Sequence, residues 1–137
     1  MHFLFDAQMP RRLAKGLEIL DQENKDGEEK INILSHVEIV LGQNIKDPEL
    51  IPYSAQANAI LISEDDDFYR IKSNKVLIKK HKIGYVLYKP PKHGSRYWEK
   101  TQAFIIGWEK LKERIRNSEK PFILKINRDG EISDEPL

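Results

Sequence analysis

Short apolar runs that end at polar residues alternate along this chain with stretches whose apolar positions recur every three or four residues. Strands are predicted at His2–Asp6, Ile31–Leu41, Ala59–Ser63 and Lys82–Tyr88, with a fifth at Phe122–Ile126. Between the first two, a helix opens at Pro10 and sets Leu13, Leu17 and Leu20 on one face. A second helix is predicted from Asp47-Pro48-Glu49, although Pro52 strains its first turn. The longest helix is expected from Ser95, a good N-cap, to about Asn117. Trp98, Thr101, Ile105, Trp108, Leu111 and Ile115 fall on its apolar stripe, and it covers the sheet. Arg70–His81 is ambiguous between strand and helix. Asp21–Glu29 reads as a polar loop, Asn127–Gly130 as a turn into a short terminal hairpin, and Ser133–Leu137 as a frayed end. Alternating strands and helices argue for an α/β fold with parallel strands joined by crossover helices.

Composition narrows the class. The chain has 137 residues, 39% of them apolar, which is the size of one domain with one core. No apolar run approaches the ~18 residues of a membrane span, and Asp6 and Pro10 interrupt the segment where a signal peptide needs continuity. A soluble, cytoplasmic protein is expected. There is no cysteine, which removes disulfides, thiolate zinc sites and a cysteine nucleophile together, so any metal must be held by oxygen or imidazole.

A net charge of +1 conceals two opposed regions. Asp21–Asp67 carries twelve acidic residues against Lys25, Lys30 and Lys46, whereas Arg70–Lys100 carries ten basic residues against Glu99 alone. Each run could be no more than a solvated face. Side by side, a carboxylate cluster that binds cations and a basic surface that holds a polyanion are what metal-assisted phosphate chemistry requires.

The acids also sit where open α/β sheets place their ligands, just past strand ends. Asp6 follows the first apolar run, and Asp65 and Asp67 follow the third, spaced so that both can point one way while Asp66 points outward. As structural features, Asp6 and Asp67 would be helix caps, and Glu64 and Asp66 parts of a solvated turn. Asp47 and Glu49 suit a helix opening, as cap and dipole partner, although an acid there could reach the same rim as Asp6. His2, His36, His81 and His93 lack the spacing of a zinc site. Lys79, Lys80, Lys82, Lys89, Lys92 and Arg96 are candidate phosphate contacts, with Tyr85, Tyr88, Tyr97 and Trp98 near them in sequence. Core packing is the simpler role for these aromatics, although Tyr97 could face outward.

Three segments carry a resemblance: Phe3-Leu4-Phe5-Asp6-Ala7-Gln8-Met9-Pro10, Asp47-Pro48-Glu49-Leu50-Ile51 and Leu61-Ile62-Ser63-Glu64-Asp65-Asp66-Asp67-Phe68. Over roughly the first seventy residues the chain resembles small bacterial PIN-like proteins, often associated with toxin-antitoxin systems. Their pattern is a strand with D-x-N-x-P, a D-x-E-[IL] helix start and [ST]-x-D-x-D-F. Gln8 stands where the family commonly has asparagine, and Glu64 where a basic or neutral residue is more usual. The resemblance implies a three-layer α/β/α fold around a mainly parallel sheet of four or five strands. It implies hydrolysis of RNA by a Mg²⁺ or Mn²⁺ site on Asp6, Asp65 and Asp67, completed by Asp47 or Glu49, with a cognate antitoxin and a homodimer as partners. Two other classes stay open at this point: a non-catalytic binding module on the same fold, and a receiver-like phospho-acceptor domain. The receiver has its acids in the opposite order.

Overall fold

The apolar runs that the sequence sets out all enter one sheet. The computed structural model describes residues 1–23, 33–64, 68–91 and 96–137. Its strands are β1 (His2–Phe5), β2 (Ile33–His36), β3 (Ile60–Glu64), β4 (Gly84–Tyr88), β5 (Phe122–Ile126) and β6 (Ile132–Glu135), in the spatial order β2-β1-β3-β4-β5-β6. The first five strands run parallel, and β6 returns antiparallel on β5. Helices α1 (Arg11–Asp21), α2 (Val37–Val40), α3 (Asp47–Gln56), α4 (Phe68–His81), α5 (Tyr97–Ile106) and α6 (Trp108–Arg116) cover the sheet on both faces.

Period-two alternation assigns each strand residue to a layer. Phe3, Phe5, Ile62, Val86, Tyr88, Leu124 and Ile126 pack against Leu13, Ala14 and Leu17 of α1, Phe104 of α5, and Trp108, Leu111 and Ile115 of α6. Leu4, Leu61, Tyr85, Leu87 and Ile123 face Val37, Leu50, Ile51 and Ile78 on α2, α3 and α4. Burial on both faces is why these strands read as unbroken apolar runs. Five aromatics knit the first layer: Phe3 and Trp108 lie 5.1 Å apart between centroids, Phe5 and Phe104 5.6 Å, and Tyr88 and Phe104 5.1 Å. Such pairs each add about 0.5–1.5 kcal/mol beyond area burial.

Several sequence expectations change. The predicted strand Ile31–Leu41 stops at His36, because that imidazole accepts from the Glu38 N–H and caps α2. Residue 31 lies outside the described residues. Pro52 lies inside α3 rather than breaking it, and Lys46, not Asp47, is the N-cap. The unassigned stretch Arg70–His81 is helical, with Asn74 and Ile78 buried one turn apart and Lys79, Lys80 and His81 in the last turn, where cations suit the helix dipole. The long helix is two. Gly107 separates α5 from α6, since a Cβ there would come within 2.5 Å of Ile126 Cδ1 and 2.9 Å of the Gly130 backbone. Gly130 itself needs a φ of +80°, so two glycines permit the close approach of helix and hairpin. Trp98 and Ile105 of the expected stripe are 70% and 44% exposed, while Thr101 and Trp108 are buried. Leu20 is likewise exposed, and the end expected to fray is in β6 as far as Glu135. Ser95, the expected cap, lies outside the described residues, and Arg96 holds that position.

Candidate active site

Two neighbouring strands, β1 and β3, send their crossovers to opposite sides of the sheet, which makes the gap beyond their C-terminal ends the topological switch point. Asp6 closes β1 there. Its backbone N–H donates to the Ile62 carbonyl of β3 at 2.8 Å, and its carbonyl accepts from Met9 N–H at 3.0 Å, so the chain turns sharply with the side chain held at the rim. The carboxylate is 2% exposed. Oδ1 accepts from the Ala7 N–H at 2.7 Å, and Oδ2 accepts from the Ser63 hydroxyl at 2.9 Å.

Asp47 reaches the same place from the first turn of α3. It is 6% exposed and accepts from the Asn74 amide of α4 at 3.0 Å. These described donors, a backbone N–H, a hydroxyl and an amide, are neutral and orient the carboxylates. Asp6, Gln8, Glu38, Lys46, Asp47 and Asn74 all line one cleft of about 690 Å³. Glu38 also pairs with Arg11 at 3.7 Å. The loop beneath Gln8 is fixed from below, where buried His36 donates from Nε2 to the Met9 carbonyl at 2.8 Å and keeps Nδ1 for the Glu38 N–H at 3.2 Å. Those two bonds select the tautomer with its proton on Nε2.

At the end of β3, Glu64 is not a solvated turn acid. Lys100 of α5 pairs with it at 2.8 Å, both side chains largely covered. The same residue accepts, at its carbonyl, the Tyr88 hydroxyl at 2.8 Å. Burial, aided by the Glu64 carboxylate, raises the Tyr88 phenol well above its ordinary value, so it stays a donor.

The other candidates distribute unevenly. Asp65 and Asp67 lie outside the described residues, as do Lys92 and His93. Glu49 is exposed and is not among the residues lining the cleft. Lys89 follows β4 directly at the C-terminal edge, and Arg96 caps α5. Lys79, Lys80 and Lys82 stand at the far end of α4, just before β4 begins, and so at the opposite edge of the sheet from Asp6. Among the described residues no three His, Asp or Glu side chains group closely enough to hold an ion. Two contributors escape the sequence reading. Glu38 is hidden in what looks like strand, and Asn74 in a segment of uncertain class; the buried i, i+4 pair Asn74 and Ile78 is the signal that could have found the latter.

A model of the PIN like domain family matches residues 1–89, well over half of the chain. The chain belongs to the PIN-like domain family. That membership accords with the three-layer sheet and the acid at its switch point, and it argues against a receiver. No characterised protein and no solved structure matches the chain significantly. No helix among the described residues is long and apolar enough to cross a membrane.

Proposed function

We propose that this chain is a metal-dependent endoribonuclease. The observation that carries the reading is the convergence of Asp6 and Asp47, from different elements, on one cleft at the switch point, each oriented by neutral donors. A nuclease-type family supports it. The donor set, carboxylate and amide oxygens without thiolates or paired imidazoles, suits a hard cation such as Mg²⁺ or Mn²⁺. Asp6, Asp65 and Asp67 would hold it, with Asp47 rather than exposed Glu49 as the further acid. Bound there, the ion would supply an ionised water near neutral pH and charge stabilisation at the phosphate.

The protein's own residues do the remainder. Ser63 and Ala7 fix both Asp6 oxygens, and Asn74 fixes Asp47, so the carboxylates need not reorganise when an ion or substrate arrives. Lys46 on the cleft wall, Lys89 and Arg96 on the adjoining edge, and Lys92 by its place in the sequence would hold the phosphate backbone. In this reading all 137 residues form one PIN-like domain acting in the cytoplasm, as the toxin of a toxin-antitoxin pair whose antitoxin covers the cleft, and it works as a homodimer.

The test is incubation of purified protein with single-stranded and structured RNA in Mn²⁺, Mg²⁺ or chelator, beside Asp6→Asn and Asp65→Asn. Cleavage that needs both metal and the two acids is the expected result. Full activity in either variant, or in chelator, would sink the proposal, and no cleavage in any lane would favour a binding module instead.

A further inference from the structure

Tryptophan is among the most thoroughly buried side chains on average, and Trp108 obeys that rule at 4% exposure. Trp98 does not. It stands 70% exposed in the first turn of α5, beside Tyr97 at 44%. The two rings meet edge to face, 5.9 Å between centroids and 83° between planes, and this is the ring contact described for Trp98. Each ring restrains its neighbour while leaving most of the indole open to solvent.

The turn that carries them is tied to the acidic rim. Lys100, one turn further along α5, pairs with Glu64 at the end of β3 and accepts the Tyr88 hydroxyl from the end of β4. One residue before Glu64, Ser63 donates to Asp6. Through these contacts Tyr97 and Trp98 share the C-terminal edge of the sheet with the Asp6 cleft. Arg96 precedes them at the helix N-cap and Lys89 follows the neighbouring strand. Cations for phosphates and aromatic faces for bases are the two elements of single-strand binding.

We propose that Tyr97 and Trp98 form a stacking platform for the bases of single-stranded RNA that enters the acidic cleft. The proposal rests on reading that cleft as a phosphodiester-cleaving site. A protein partner is the less fitting occupant. The next exposed apolar side chains along the helix, Ile105 and Ile106, begin two turns (about 10.5 Å) away, with exposed Gln102 between. An isolated aromatic pair beside an arginine offers little continuous apolar area to a protein and a good fit to flat bases.

The experiment measures binding of a short fluorescent RNA strand, and of the duplex of the same sequence, in chelator, so that no cleavage is needed. Trp98→Ala should weaken single-strand binding about tenfold, with Trp98→Phe keeping most of it and duplex binding unchanged. Added single strand should quench tryptophan emission in the native protein and not in Trp98→Phe, where only buried Trp108 remains. Undiminished binding by Trp98→Ala, an equal loss for duplex, or quenching that persists in Trp98→Phe would overturn the platform. So would a Trp98→Ala variant that loses self-association in sedimentation but binds RNA normally, since the face would then be a protein interface. Strand binding that depends on Trp98, in a protein that leaves RNA intact with Mn²⁺, would sink the nuclease reading alone.

Discussion

Among the described residues, aspartates are buried both at the cleft and beneath α6, and the groups set against them differ in kind. Asp21, at the end of α1, is 5% exposed and receives the Lys112 ammonium of α6 at 2.6 Å, with the Trp108 indole N–H at 3.4 Å. Lys112 is itself 1% exposed, takes Glu109 at 2.9 Å, and lies over the Trp108 ring. Asp6 and Asp47 are buried to the same degree, but the donors described on them are a hydroxyl, a backbone N–H and an amide. A cationic partner ties a charge into the fold, whereas the neutral donors described at the rim aim a carboxylate. The chemical type of the partner, more than the depth of burial, separates an acid that holds the fold from an acid that works at a surface.

The most damaging change should fall on the structural pair. Lys112→Met removes the ammonium from buried Asp21, and equilibrium denaturation should show a loss of about 3–5 kcal/mol. The double variant Asp21→Leu with Lys112→Met should be markedly more stable than Lys112→Met alone. If the two are equally unstable, the pair is not the linkage described here.

At the rim the effect should appear in activity instead. Asp6→Asn keeps the shape and the Ser63 contact yet should lower RNA cleavage at least a hundredfold, about 2.7 kcal/mol of transition-state stabilisation. Its unfolding midpoint should match that of the native protein, and a large loss of stability would erase the contrast with Asp21. A related gain is expected from ion binding: Mn²⁺ at a hundred times its dissociation constant should stabilise the native protein by about 2.7 kcal/mol in thermal melts, and Asp6→Asn should abolish the shift.

Ser63→Ala sharpens the comparison further. Removing one orienting donor should cost roughly tenfold in cleavage, the lower end of what loss of a metal-orienting contact brings, and little in stability. The smallest effect concerns alkaline pH. Burial would lower the Lys112 pKa, but the hydrogen bonds and charges of Asp21 and Glu109 outweigh it and hold the group above its ordinary 10.5. A raised folded value means that the pair's stabilisation is complete below the unfolded lysine pKa and is lost as pH rises through the folded one. Stability measured from pH 8 upward should therefore fall more steeply above about 10.5 in the native protein than in Lys112→Met. The raised Tyr88 phenol contributes loss in the same direction in both.

What could be read in the sequence follows from how local each cause is. Strands β1, β3, β4 and β5 were legible because burial on both faces leaves continuous apolar runs, and Asp6 was legible because it ends one of them. The end of β2 was not, since it depends on His36 capping α2 while also holding the Met9 carbonyl, a contact across 27 residues. Trp98 and Trp108 fit the same predicted stripe, yet one faces outward and the other inward, and the break at Gly107, set by its close approach to Gly130, places them on different helices. The same holds at the cleft. Asp47 was visible as a helix opener, but its partner Asn74 sits on a helix where, among the described positions, only Asn74 and Ile78 are buried, so no longer periodic pattern marked it. Glu38 was concealed by the apolar residues around it, which suit a strand as well as a short helix.

The Asp21–Lys112 contact also bears on where this protein could be cut. The family pattern ends at residue 89, just past β4, yet the buried cation for Asp21 comes from residue 112. A fragment stopping at 89 would expose β4 as a bare strand edge, uncover Phe3 and Phe5 where Phe104 and Trp108 now lie, and leave Asp21 without its ammonium. The matched portion of the chain is therefore expected not to fold when lifted out at residue 89, because the helices past that point supply the aromatic cover of β1 and the ammonium for Asp21.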